Sequence, residues 1–199
     1  MGRLRPEFAR FRIKSAPMPL PVTEVERELT HTRRVRYEGY KRADGLWDIE
    51  AHLSDTKNHD YRLKTGVRRA GQAIHDMWLR VTIDRSFTIL DAQAAMDAVP
   101  YPNGCEKIPP AYRKLVGLNL LRGFRKRTWE LLGNVKGCTH MTEMLAGLPT
   151  AAIQTFAGEM PEEGENGAKP FQLDQCHALE TTGETVRMWY PKWYKGKAA

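Results

Sequence analysis

No apolar run in the 199-residue chain approaches the roughly 18 residues that a membrane-spanning helix needs. The basic start, Met1-Gly2-Arg3-Leu4-Arg5-Pro6, is followed by no apolar core of a secretory leader. Neither a membrane protein nor a secreted one is expected, and the cytoplasm is the expected location. Cysteine is scarce. Cys105, Cys138 and Cys176 are odd in number, far apart and form no Cys-x-x-Cys pair, which argues against a disulfide framework and leaves free thiols or metal ligands. Internal repeats are also missing. The basic clusters Arg33-Arg34-Val35-Arg36, Arg68-Arg69 and Arg122-Gly123-Phe124-Arg125-Lys126-Arg127 carry no nucleic-acid-binding motif. The net charge of +7 therefore reads as solvated faces or an anion-attracting rim, and nucleic acid is not the expected partner.

What is present is the composition of a globular domain, 41% hydrophobic and 28% charged, with enough chain for one well-buried core and too little for two. Residues 1–30, with Pro6, Pro17, Pro19 and Pro21 in a polar setting, read as an extended arm. Residues 31–157 are the expected core domain. Residues 158–199 read as a flexible acidic loop and a C-terminal tail packed on that core, sealed by the aromatic run Trp189-Tyr190-Pro191-Lys192-Trp193-Tyr194.

Within the core, Arg33 to Tyr40 has strand character and Ala43-Asp44-Gly45 supplies a turn. Leu46 to Asp55 then alternates, with Trp47, Ile49, Ala51 and Leu53 on one face and Asp48, Glu50 and His52 on the other. Residues 56–72 are basic and polar and read as a long connection. Ile74 to Asp84 alternates again, His75, Met77, Leu79, Val81 and Ile83 against Asp76, Trp78, Arg80 and Thr82, and Asp84-Arg85-Ser86 turns into a return strand through Phe87, Ile89 and Asp91. Helices are predicted from Pro109-Pro110 through Leu115 to Leu121, from Phe124 to Leu132, and from Cys138 through Met141, Leu145 and Leu148, with Pro149 restarting the last toward Ile153 and Phe156. The fold class expected is α+β: an antiparallel sheet of about four strands built from hairpins, with helices packed on one side.

Chemistry gathers at the ends of these elements. In Gly137-Cys138-Thr139-His140 a thiol and an imidazole stand together at a helix entrance, where the N-terminal field favours a thiolate. Cys105, in Asn103-Gly104-Cys105, precedes another helix, and His75 enters its strand on the apolar face. If brought together, His75, Cys105, Cys138 and His140 supply the mixed nitrogen and sulfur donors that zinc or iron prefers. Left apart, they are buried thiols beside capping or surface imidazoles. Asp55 shares the apolar face of its strand, where a carboxylate is costly unless paired or bound, yet at the strand's end it can equally cap the turn Ser54-Asp55-Thr56-Lys57. Cys176-His177 lies in a loop-rich setting and is not counted as a ligand.

The run Ile74-His75-Asp76-Met77-Trp78-Leu79-Arg80-Val81-Thr82-Ile83-Asp84, then Ile89-Leu90-Asp91-Ala92, Asn103-Gly104-Cys105, Tyr112-Arg113-Lys114-Leu115-Val116-Gly117 and Gly137-Cys138-Thr139-His140, resembles a bacterial family of proteins of unknown function, number 2889 among the domains of unknown function. The resemblance covers most of the chain, including Asp55-Thr56-Lys57 and the tail from Cys176-His177-Ala178-Leu179 to Trp193-Tyr194. The same central segment is more distantly similar to the NifU, IscU and SufU iron–sulfur scaffold proteins, which implies a NifU/SufU-like α+β core with a metal site at one end. On that alignment Met77 matches the methionine of the scaffold's Cys-Gly-Asp-x-Met motif. His75 then stands at the aspartate ligand, Ala73 at the first cysteine and Cys105 at the second, while Cys138 or His140 matches the late ligand. Such a set suits one metal ion better than assembly of a cluster from sulfide.

The expected function is a metal-dependent enzyme of hydrolase, hydratase or lyase type. One zinc or iron ion would be held by His75, Cys105 and Cys138, with His140 as a further ligand or as a base. Asp55 or His140 would serve as general base, and Lys57 or a nearby arginine would fix a small anionic substrate, an aromatic acid among the candidates. The alternative is a metal, sulfur or iron–sulfur carrier that meets an acidic partner. A closed structural zinc site and a metal-free nucleophilic Cys138 activated by His140 or His75 complete the set. A homo-oligomer is compatible with each.

Overall fold

Six strands and four α-helices make up the regular structure of the computed structural model, which describes residues 20, 21, 23–159 and 167–196. Most of the expected N-terminal arm and the centre of the acidic loop lie outside the described residues. The strands are β1 (His31–Lys41), β2 (Trp47–Lys57), β3 (Tyr61–Leu63), β4 (Gly66–Arg68), β5 (Ala73–Ile83) and β6 (Ile89–Ala98). The helices are α1 (Phe124–Leu132), α2 (Thr139–Leu145), α3 (Leu148–Thr155) and α4 (Glu184–Trp189).

The two alternating segments become the central strands. β2 and β5 pair antiparallel and bury Trp47, Ile49, Ala51, Leu53, Met77, Leu79 and Val81 on one face. β1 and β6 flank them in the order β1-β2-β5-β6, every neighbour antiparallel, so the sheet is the hairpin-built one that the sequence predicts. The β1–β2 turn is closed as its residues dictate: Asp44 accepts from the Leu46 backbone N–H at 3.3 Å, and Gly45 takes φ +83°. On the other face, His52 stacks on Trp78 with ring centroids 3.8 Å apart and bonds Asp76 at 2.7 Å, which keeps that side polar.

Helices cover the apolar face. α2 and α3 lie on β1 and β2, while a 3-10 segment over Pro109–Leu115 covers β6 and carries α1. Trp47 meets Phe156 at 4.3 Å between ring centroids, and the Tyr37 hydroxyl on β1 donates to the Met144 carbonyl at 2.8 Å. Tyr112, fully buried, accepts from the Cys138 backbone N–H at 3.1 Å and lies 2.9 Å from the Thr142 hydroxyl, which fixes the entrance of α2. Among the described residues no helix is long and apolar enough to cross a membrane.

Two expectations are corrected. The helix predicted from Pro109 to Leu121 is a 3-10 segment that stops at Leu115, because the next residues find backbone partners elsewhere. Gly117 N–H donates to Ile89 O at 2.8 Å, Ile89 N–H to Leu118 O at 2.9 Å and Leu120 N–H to Phe87 O at 2.9 Å, so this stretch serves the start of β6. The connection predicted over 56–72 contains the β3–β4 hairpin. It is pinned to the end of β6 by the Thr65 hydroxyl on Pro100 O at 2.8 Å and Arg68 Nη2 on Val99 O at 3.2 Å. In the tail, Leu173 and Val186 are the buried apolar side chains, and Trp189 is 60% exposed.

α3 crosses β1 so closely that a Cβ built on Gly39 would overlap the Thr155 side chain. Gly39→Ala is therefore expected to destabilise the protein by about 1–3 kcal/mol through overpacking, read as a lower urea midpoint. An unchanged midpoint would contradict this close approach.

Candidate functional site

Strand register assembles the site. Arg33 on β1 lies directly opposite Asp55 on β2, and Asp55 directly opposite His75 on β5, so three neighbouring strands place three polar side chains in one row of the apolar face. The β2–β5 register shifts just after Asp55, where Thr56 pairs with Ala73; such a bulge re-aims side chains at the end of a ladder. His31, opposite Lys57, stands one step along the same face. The first turn of α2 sets His140 over the row.

Asp55 is 3% exposed and holds this group together. Arg33 binds it in a two-pronged pair, Nε to Oδ1 and Nη2 to Oδ2, both at 2.8 Å. His31 Nε2 lies 3.0 Å from Oδ1, His75 Nδ1 3.0 Å from Oδ2, and His140 Nε2 4.0 Å from Oδ2. The third Arg33 donor, Nη1, binds Glu143 at 2.6 Å. The His75 and His140 rings lie 3.8 Å apart between centroids, tilted by 31°. Asp55, His75 and His140 each offer one donor atom, and these three atoms lie within 4.8 Å of one another.

The protonation states follow from burial and from the neighbours. Burial acts on Asp55 most strongly and favours its neutral form, but the Arg33 pair, the His31 bond and the His75 ring outweigh it and hold the carboxyl at about 2. Burial pushes His75 down first, then the neighbouring His140, with Asp55 only partly opposing. His140 is lowered by burial first and by Arg33 second. An ionised carboxylate thus faces two imidazoles that resist protonation. The acceptor Oδ2 makes His75 Nδ1 the donor and leaves the lone pair on Nε2.

These residues line a cavity of about 340 Å³. Lys57 and Arg33 contribute its cations, and Tyr61, Leu63, Ile74, Pro100 and Tyr101 its apolar wall. Of the residues singled out in the sequence, Asp55, Lys57, His75 and His140 meet at this cavity. Cys138 Sγ lies 3.9 Å from His140 Nδ1, and Cys138 is not among the residues that line the cavity. Cys105 sits partly buried in a 3-10 turn over Cys105–Lys107, and Cys176 is exposed. Neither Cys105 nor Cys138 belongs to the three-residue group. Sequence reasoning missed His31 and Arg33, the latter counted with a solvated basic cluster. The signal was parity: both share a strand face with Val35, Tyr37 and Gly39.

The family described as "Protein of unknown function (DUF2889)" matches residues 31–154, which span β1 to α3. No curated protein and no solved structure matches the chain. The likeness to iron–sulfur scaffold proteins therefore gains no support from either.

In the metal-free protein Asp55 favours the native state above pH about 4, and that contribution, about 2 kcal/mol, is lost as the pH falls toward about 2. His75 and His140 act in the same direction at higher pH. Their native pKa values lie below the unfolded value of about 6.5, so stability drops as the pH falls through that value. Urea midpoints measured between pH 8 and 3 should fall throughout the acid range for the wild type, and Asp55→Asn, less stable at neutral pH, should lose the lower part of that dependence. A wild-type midpoint that is flat from pH 7 to 3 would refute these assignments.

Proposed function

Because the chain belongs to the DUF2889 family of proteins of unknown function, we propose its activity from its own side chains: a metal-dependent enzyme of hydrolase, hydratase or lyase type, acting on a small anionic substrate, with one zinc or iron ion held by His75, His140 and Asp55. The observation that carries this reading is the convergence of two neutral imidazoles and one ionised carboxylate, their donor atoms within 4.8 Å, at a cavity that also presents Lys57. Two imidazoles and a carboxylate form a donor set that suits zinc or ferrous iron and leaves coordination positions open.

The spacing fits. Bonds of about 2.0–2.2 Å from nitrogen and oxygen put neighbouring ligand atoms roughly 3–4 Å apart. Asp55 Oδ2 lies 4.0 Å from His140 Nε2 and 3.0 Å from His75 Nδ1, whose proton would move to Nε2 on ligation. Burial keeps both imidazoles unprotonated at neutral pH, so little proton release opposes ligation. A bound ion supplies Lewis-acid polarisation of a substrate oxygen. Around it, Lys57 attracts the anion and His31, on the outer oxygen of Asp55, offers an imidazole for proton transfer.

Arg33 favours a second reading. With His31 and His75 it fills all four acceptor positions of the Asp55 carboxylate. Asp55 then acts as an orienting anion, His75 accepts a proton at Nε2, and His140 is its partner in metal-free acid–base chemistry. The group contains no thiol, which favours either reading over a sulfur or cluster carrier.

Elemental analysis of the untagged protein, followed by zinc titration in a calorimeter, separates the two. One ion per chain is expected, lost in His75→Ala and in His140→Ala and retained in Cys105→Ser, Cys138→Ser and Cys176→Ser. A folded wild type that takes up no zinc or iron would remove the metal centre and leave the acid–base pair; an ion lost with Cys138→Ser would return the thiol to the ligand set.

A further inference from the structure

We propose that this cavity takes a single-ring aromatic carboxylate: its carboxylate on Lys57, its ring against Tyr61 and Tyr101, and its far end presented to His75 and His140. The proposal rests on the reading of Asp55, His75 and His140 as the reacting end of the cavity, and it assigns the opposite end.

Every Arg33 donor group is engaged, Nε and Nη2 by Asp55 and Nη1 by Glu143. Lys57, in contrast, forms no ion pair among the described residues, and its ammonium lies 5.4 Å from the centre of the Tyr61 ring. An ammonium held along a ring face at a half-buried rim is a ready partner for a carboxylate, and the charge-assisted bond gains strength from the apolar surroundings.

Tyr61 and Tyr101 are 37% and 58% exposed, although both border a cavity backed by buried Ile74 and Pro100. The β3–β4 hairpin that carries Tyr61 makes no part of the main core; its bonds to Val99 and Pro100 hold it beside Tyr101. Two tyrosine rings left open at the mouth of a polar site are surface that a flat apolar ligand covers well. A volume of about 340 Å³ accommodates one ring with a short side chain.

The spacing joins the two ends. Asp55 and Lys57 are two residues apart on one strand and line the same cavity, a separation of about 7 Å along the strand. Their side chains stand on one face of β2, so an acid anchored on Lys57 extends across the cavity toward the histidines that border Asp55.

Calorimetric titration of the zinc-loaded wild type with benzoate, cyclohexanecarboxylate and phenol tests this. Benzoate should saturate one site per chain, with cyclohexanecarboxylate and phenol each weaker by severalfold or more. Lys57→Met should weaken benzoate about tenfold, and Tyr101→Leu about threefold, with zinc uptake unchanged in both. Benzoate binding that is absent in the wild type, equal to that of cyclohexanecarboxylate, or unaffected by Lys57→Met would overturn the assignment while zinc remained bound. If the wild type takes up no zinc, the metal centre fails by itself, and the same titrations on the metal-free protein still decide the acid pocket.

Discussion

A carboxylate sealed between two strands of a sheet is the constraint on which the site depends. Asp55 stands on the apolar face of β2, nearly without access to water, and its charge is tolerable there only because Arg33, His31 and His75 surround it. Each partner comes from a different place on the sheet: two from β1, one from β5. The same guanidinium reaches Glu143 on α2. One ion cluster therefore ties the edge strand, the central pair and the helical layer together at this end of the sheet. Removing Arg33 leaves the buried charge uncompensated, and removing either imidazole leaves a carboxylate acceptor position unfilled, so the cluster specifies register as well as chemistry. A slip of one residue between β1 and β2 would turn Arg33 to the solvent face and strand Asp55 among aliphatic side chains.

The packing beyond the cluster is arranged to hold α2 at a fixed height over this row. Tyr37 bonds the Met144 carbonyl from below, and buried Tyr112 bonds the backbone at Cys138 from the side. Core Tyr112 fixes the helix entrance bearing His140, and Tyr37, packed against the core, fixes the far end of α2. His140 thus approaches Asp55 on a rigid element, and a three-donor geometry needs that precision. At the bulge after Asp55, Thr56 pairs with Ala73, so the register passes over Ile74 of β5 beside the site.

The sheet was largely legible in the sequence, and the site only in part. Alternation in residues 47–55 and 74–83 identified both central strands and their buried faces, because a period of two is a local property. It also placed Asp55 and His75 on the same side of the sheet. The partners of Asp55 were not legible, since Arg33 meets it only through a register that the turn at Ala43-Asp44-Gly45 sets and no local pattern reports. The β3–β4 hairpin was hidden for a related reason: three-residue strands in a basic stretch carry too little alternation, and its order comes from bonds to Val99 and Pro100. The thiols lie outside the three-donor group: Cys138 Sγ is 3.9 Å from His140 Nδ1, and of the two residues His140 is the one that borders the cavity.

The two chemical readings of the site differ in what Arg33 does, and its surroundings allow both. A divalent ion beside Asp55 would repel the guanidinium and compete for Oδ2. Arg33 is nevertheless not bound to Asp55 alone, because Nη1 already lies 2.6 Å from the half-exposed Glu143. Yielding Oδ2 would leave the guanidinium paired on its outer side, with water available to the donor released. The carboxylate is likewise never without a counter-charge, since an arriving cation replaces the one that withdraws. On the proposed metal reading, such an exchange would keep the buried charge compensated, and the Arg33 clamp would be the state of the site before an ion binds.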